Sequence, residues 1–569
     1  LRLLNFLRSG EGLTLAAVTF FALALLVFPL GLLARVGVTQ DGAVSLAPLA
    51  DALSSRSVWR AFTHSLESAF FSSLLSLVAG TGIALAIGLT DIRWKGVFTF
   101  LLLIPMMIPP HVTAIAWIQA MGPSSPILRS MGIAPELGTT HPLYSPGGLI
   151  FLLGVQHTPL VFLVVLAALR ALPREMSDAA RIAGAGGGRL LRRIILPLLA
   201  PTLIAGYALA FVSALGNFGI QALLGIPARY ITLPVLIWQR LASFGPSVLT
   251  DVAVIASILA LLAMVVILLQ MLLLRNARST LIGPPQPPLH IRLGRLRGWT
   301  EAGLALLVLG TLVLPIAALV ATALVRTYGL PLNADTITLD NFAEILFRQS
   351  VTARAFLNSS LTAATAAAII ALGSILVAHF MSSPRRAVRG TGLGIATLSE
   401  MTYAVPGLVI SIAFILAFLK PLPLFNVSLY NTLGIILIAY LCAFFSIALK
   451  PVSAAFVQLD PALDEAARIS GACFGFRMRR IFLPLIAPAA ASGAILVFLT
   501  AYNEVTVSAL LWSSGNETIG TTIYNYEDGG YTTLAAAMAS VTVLATVLLM
   551  AALDRLGRHA PRGVVPWRM

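Results

Sequence analysis

The sequence predicts an all-α polytopic membrane protein, with twelve transmembrane helices arranged as two parallel six-helix repeats. Three observations point there. Of 569 residues, 58% are hydrophobic and only 10% are charged, against about a quarter charged in an ordinary soluble domain. The apolar residues fall in runs of roughly 20, the length a helix needs to cross a bilayer. Finally, one segment occurs twice, 287 residues apart. DAARIAGAGGGRLLRRIILPLLAP (178–201) and EAARISGACFGFRMRRIFLPLIAP (465–488) are identical at 15 of 24 positions without a gap.

Taken in order, the predicted spans are 13–34, 63–89, 97–119, 147–169, 200–224, 252–274, 302–324, 355–381, 392–419, 430–450, 486–512 and 533–553. Several hold Gly or Pro, which membrane helices tolerate. The first follows Arg2 and Arg8. It is too long for a signal-peptide core and has no clear small-x-small cleavage site, so it is expected to be an anchor. With the N-terminus in the cytoplasm, alternating the loops puts 27 of the 37 Lys and Arg on the cytoplasmic side. That excess is what positive-inside topology requires. The net charge of +15 is therefore read as topology, and no nucleic-acid partner is expected. Both termini are expected in the cytoplasm, with membrane lipid around the spans.

Residues 275–300, basic and Pro-rich, read as a cytoplasmic linker between a first half (1–274) and a second (301–569). Six crossings per half is an even number, so the halves enter the membrane in the same direction, as a parallel repeat. The repeat extends further. FVSALGNFGIQALL (211–224) aligns with FLTAYNEVTVSALL (498–511) at the same offset, and PPHVTAIAWI (109–118) aligns more weakly with PGLVISIAFI (406–415).

The duplicated loop falls between the fourth and fifth spans of each half. Asp460-Pro461 with Asp464 reads as a helix start, and Pro173 with Glu175 does something similar. A short helix then runs to Gly184 or Gly471, which either ends it or lets another backbone approach. Arginines follow (Arg189, Arg192, Arg193; Arg477, Arg479, Arg480), and Leu-Pro opens the next span. Positive-inside charge explains the arginines. It does not explain retention of the Ala-Ala-Arg-Ile core and the glycine spacing, which suit a docking surface.

Glu465-Ala466-Ala467, Gly471 and Ile481-Phe482-Leu483-Pro484 resemble the EAA motif of ABC importer permeases. Asp178-Ala179-Ala180, Gly184 and Ile194-Ile195-Leu196-Pro197 match it with Asp for Glu. The resemblance implies a bacterial inner-membrane permease of the binding-protein-dependent type. Its coupling residues would be Asp178, Ala179, Ala180, Arg181 and Gly184, with Glu465, Ala466, Ala467, Arg468 and Gly471. It implies two copies of an ATPase subunit, which would carry the ATP and Mg, and a periplasmic substrate-binding protein. The three lysines, Lys95, Lys420 and Lys450, are followed by Gly, Pro and Pro, so no Walker A loop is possible here. The chain is not expected to be an enzyme or to bind a cofactor.

Ionisable and amide groups inside spans mark a pathway or a partner. Glu504 lies beside Asn503 in span eleven, and its repeat partner is Asn217. Glu400 precedes the Pro406-Gly407 break of span nine, and His111 follows Pro109 and Pro110 in span three. These five are the candidate pathway residues, with His157 and His379 behind them. The blander roles are cross-helix hydrogen bonds and interfacial histidines. The prolines are expected to free carbonyls to face water. No metal site is evident: Cys442 and Cys473 are isolated and predict neither a disulfide nor a metal framework.

Residues 215–238 and 509–531 resemble the ferric-iron branch of these permeases, often fused double units, and two intramembrane carboxylates suit a hard cation. Thiamine, polyamine, phosphonate or sugar phosphate are the alternatives. A major-facilitator-type secondary transporter also has twelve spans, but has no reason to duplicate a docking loop.

Overall fold

The computed structural model describes residues 9–40, 43–136, 138–170, 172, 178–180, 182–243, 248–275, 291–421, 426 and 428–557. The expectations for Arg2, Arg8, Pro173, Glu175, Arg181 and residues 276–290 lie outside them. In the first half the main helices are α1 Gly10–Gly37, α2 Arg56–Leu89, α3 Lys95–Met107, α4 Pro110–Met121, α5 Pro146–Arg170, α6 Gly187–Leu215, α7 Phe218–Gly225, α8 Leu233–Leu241 and α9 Val248–Leu274, with short helices at Ala47–Ser54 and Pro126–Ser130. In the second they are α10 Leu296–Ala323, α11 Ser350–Met381, α12 Arg386–Tyr403, α13 Gly407–Phe418, α14 Leu433–Val457, α15 Ala462–Ile469, α16 Phe474–Tyr502, α17 Ser508–Leu511, α18 Ile519–Asp528 and α19 Thr532–Leu556, with a short helix at Asp340–Ala343 that runs into a π-helical turn at Glu344–Arg348. Among the described residues ten helices are long and apolar enough to cross a membrane, or twelve where each of the bent pairs α3/α4 and α12/α13 counts as one broken span. The only strands there are Thr39–Gln40 and Ala43–Val44, paired antiparallel.

Four predicted spans are not single helices. α3 meets the limb containing α4 at 102°, and α12 meets α13 at 110°. Pro109 and Pro406 sit at these corners in extended conformation, with ψ of 137° and 139°. A proline there has no N–H to continue a helix, and its ring displaces the preceding turn. The fifth span breaks between α6 and α7 and the eleventh between α16 and α17. α10 begins at Leu296.

Four prolines are absorbed in another way. Pro29, Pro197, Pro315 and Pro484 each lie two residues past a π-helical turn, at Leu23–Val27, Leu191–Ile195, Leu309–Val313 and Met478–Phe482. The wider turn accommodates both the missing donor and the ring. The four fall at matching places in the two halves.

The first span of each half leaves its own half. The end of α1 packs on α13 as well as α9, and the end of α10 packs on α4 as well as α19. The main core accordingly mixes Leu26, Phe211 and Ile255 with Ile370, Phe414 and Tyr440. Lipid is as apolar as these side chains, so close packing and hydrogen bonds hold the bundle together. α2 shows how: Ser65, Ser68, Ser72, Ser76 and Gly80 form a buried small-residue stripe. Ser76 Oγ donates to the Gly154 carbonyl of α5 at 2.8 Å. A Cβ on Gly80 would meet the Thr158 oxygen at 2.8 Å.

Both repeated loops lie on one face, here the loop face. The linker's end is fastened there: Ile291 N–H donates to Leu89 O at 2.6 Å and Leu293 N–H to Asp91 Oδ1 at 2.9 Å. That backbone bond holds the Asp91 carboxyl below its usual pKa. On the opposite face Arg129 donates to Gly329 O, and Ser130 Oγ accepts from Leu332 N–H. The halves are thus tied at both ends.

Candidate functional site

The second repeated loop is built by local chemistry. Asp460 Oδ1 accepts the Ala462 N–H at 2.9 Å and starts α15, and Asp464 pairs with Arg468 one turn on at 2.7 Å. The helix stops at Gly471, where φ is +79°, and Ala472 N–H closes on Ala467 O at 3.0 Å. In the first loop Gly184 also has φ +79°, and Ala185 N–H closes on Ala180 O at 2.9 Å. No atom lies within 4 Å of a Cβ built on either glycine. Each glycine is therefore required by the left-handed backbone of a helix C-cap, and not by a close neighbour.

These caps hold the same side chains outward. Ile182 is 89% exposed and Ile469, its repeat partner, 87%. Ala179, Glu465 and Ala466 are exposed, Asp178, Ala467 and Arg468 are half-buried, and Ala180 is buried. Each capped helix end thus presents an exposed alanine and a bare isoleucine.

At the centre of the bundle the breaks meet crosswise. A Cβ on Gly216 would lie 3.2 Å from Pro406 of the other half. Asn503 Nδ2 donates to the Met107 carbonyl of the other half at 3.3 Å. Asn217 Oδ1 caps α7 by accepting Ile220 N–H at 3.1 Å. Glu504, at the matching position, accepts Val507 N–H at 2.5 Å and Ser508 N–H at 3.0 Å. Both residues thus hold chain breaks in place. Carbonyls at the first corner meet donors within the protein: Gln156 Nε2 reaches Pro105 O and Ile108 O at 3.4 and 3.5 Å, Ile108 N–H also donates to Pro105 O, and Asn503 Nδ2 donates to Met107 O. Asn503 Oδ1 and both ring nitrogens of buried His111 have no hydrogen-bond partner. Glu400 is exposed near the end of α12. His157 bonds Leu153 O within its own helix at 2.7 Å, and His379 lies on the loop face, near Glu11.

Beyond the breaks, towards the opposite face, three aromatic rings close on one another. Phe218 lies 5.4 Å from Tyr524 and 6.1 Å from Trp238, and Trp238 lies 6.0 Å from Tyr524 (ring centroids). Val235, Leu408, Val505 and Ala509 pack with them, so both halves contribute to one apolar plug. Neither these aromatics nor Gln156 stood out in the sequence. The available signal was the near-repeat of Trp238 and Tyr524, 286 residues apart. Among the described residues no group of three or more His, Cys, Asp or Glu could hold a metal ion, and Cys442 and Cys473 are free thiols.

Comparison with known proteins places these features among transporters. Residues 76–279 and 374–565 each match the family described as "Binding-protein-dependent transport system inner membrane component". A probable ABC transporter permease of Sinorhizobium fredii, y4fN, is 27% identical over 71% of this chain and 70% of its own length. The ferric transport system permease FbpB of Actinobacillus pleuropneumoniae is 24% identical over 85% of this chain and 69% of its own. A probable molybdenum ABC transporter permease of Haloferax volcanii is 28% identical over 37% of this chain and 76% of its own.

Proposed function

The chain belongs to the family of binding-protein-dependent transport system inner membrane components, and from that membership we propose that it is a fused double permease that imports ferric iron. As an ABC transporter permease it works with an ATPase and a substrate-binding protein. The observation that carries the mechanism is the pair of identically capped loops, Gly184 and Gly471, each presenting an exposed isoleucine.

In this reading each loop is a lever seated on one of two ATPase subunits, Asp178–Gly184 on one and Glu465–Gly471 on the other. The loop face and both termini are cytoplasmic. ATP closes the ATPase pair, the levers follow, and the halves rock about the crosswise contacts Gly216–Pro406 and Asn503–Met107. Rocking separates Phe218 and Trp238 from Tyr524, opens the plug to the binding protein, and is reversed by hydrolysis. Asn217 and Glu504 keep the breaks rigid while this happens. Asn503, His111 and Glu400 are the polar groups left to line the path.

Iron is favoured because the ferric permease aligns across both halves, over 85% of this chain, whereas the molybdenum permease covers 37%. Radiolabelled iron uptake by vesicles holding the chain with its ATPase and binding protein tests this. Uptake dependent on ATP and on the binding protein, and not competed by molybdate or spermidine, is expected. Uptake of either competitor with no iron uptake would overturn the assignment.

A further inference from the structure

The two levers are fastened to the membrane bundle by different chemistry. In the first, Leu190 is fully buried and packs in one apolar cluster with Ala180, beside Ile291 and Leu293 of the linker. The residue 287 positions later is Arg477, which is 4% exposed. Its guanidinium bonds the Asp464 carboxylate of α15 on one side. On the other it reaches Glu11 of α1, across the halves, at 3.4 Å. Arg468 also faces Glu11, at 4.0 Å, and His379 lies 3.9 Å from it.

Glu11 has a counterpart in Glu301, also near the start of its half's first span. Glu301 Oε1 accepts from Arg93 N–H at 2.7 Å and from Arg297 at 3.0 Å, so it grips the turn after α2 and its own helix. Glu11 alone of the two is bonded into the fastening of a lever. Apolar side chains of similar volume would have stabilised this site at least as well as buried ions do, and Leu190 shows that the fold accepts them. The ionic set is also incomplete. Glu11 Oε1, His379 Nε2 and Arg477 Nε are buried without hydrogen-bond partners, which suits contacts that are remade when the lever moves.

We propose that Glu11 is a positioning residue for transport. Through Arg477 it ties the second lever to the first span of the opposite half, so one lever's stroke moves both halves. This rests on the levers being ATPase docking sites.

The test uses the assembled complex in vesicles with Glu11→Gln, Arg477→Leu and the double variant, reading ATPase co-purification, thermal midpoint and uptake per ATP hydrolysed. Each single variant leaves the buried charges unbalanced, Arg477 keeping only Asp464 in the first and Glu11 losing its nearest cation in the second, and is expected to lower the midpoint; the double variant restores it. Uptake per ATP is expected to fall on the order of tenfold in all three, with the ATPase still bound. Recovery of uptake per ATP in the double variant to within about twofold of wild type would overturn the tether, since neutrality alone would then suffice. Loss of the ATPase from the wild-type chain would instead sink the docking reading beneath it.

Discussion

At the scale of single residues, what decides each role is where a polar atom's hydrogen bonds go. Glu504 looked in sequence like a carboxylate aimed at a cargo, yet both its oxygens are engaged by backbone N–H groups. A residue's own i+3 and i+4 neighbours are the nearest donors once a helix breaks, and no hydropathy pattern announces the break. Glu527 is the opposite case. It sits on the opposite face, in α18, with Tyr144 and Tyr328 beside it, and its Oε2 is sealed from solvent without a hydrogen-bond partner. Burial pushes its pKa from 4.5 to about 7, against a weaker opposing pull from Thr532. The folded chain therefore holds this proton up to about pH 7, whereas the unfolded chain releases it near 4.5. The fold binds more protons across that window, so this group's contribution to stability falls as pH rises through it and is level above. Glu527→Gln is expected to flatten that part of the thermal-midpoint profile in detergent and to exceed wild type above pH 7. A profile parallel to wild type from pH 5 to 8 would show that Glu527 stays ionised.

At the scale of elements, the lever helix depends on how it ends. Alanine at Gly184 or Gly471 forces a left-handed L-residue, costing about 1–2 kcal/mol, so each substitution is expected to weaken ATPase association by up to roughly thirtyfold. Asparagine tolerates that conformation better and is expected to lose less. Measuring the dissociation constant of the ATPase for each variant decides it; alanine variants that bind like wild type would mean the cap is not what shapes the dock. The start of the second loop's helix and the glycine stops of both were readable in advance because helix caps and repeats are local signals. The corners at Pro109 and Pro406 were visible as prolines but not as right angles, because hydropathy measures how apolar a stretch is and not where it points. α7 and α17 were read as continuations of their spans for the same reason, as apolar on both sides of the break.

At the scale of the whole molecule, the two tandem halves are interlocked, because the first span of each packs on the other half as well as on its own. Chain order says nothing about which neighbour a helix packs on. The hint in the sequence was a glutamate near the start of each first span: Glu11 finds its partners on the other half, and Glu301 finds one there, Arg93, and one on its own helix, Arg297. In the proposed mechanism this interlocking matters, because rocking one half would drag a helix of the other and separate Phe218 and Trp238 from Tyr524. All of this turns on the levers carrying motion from outside the chain. A photo-crosslinking side chain placed at Ile182 or at Ile469 in the assembled complex is the most direct test. The account predicts that each position crosslinks to an ATPase subunit, one per lever, with a yield that changes between nucleotide-free and ATP-bound states. Failure of both positions to crosslink in a complex that is actively transporting would contradict it.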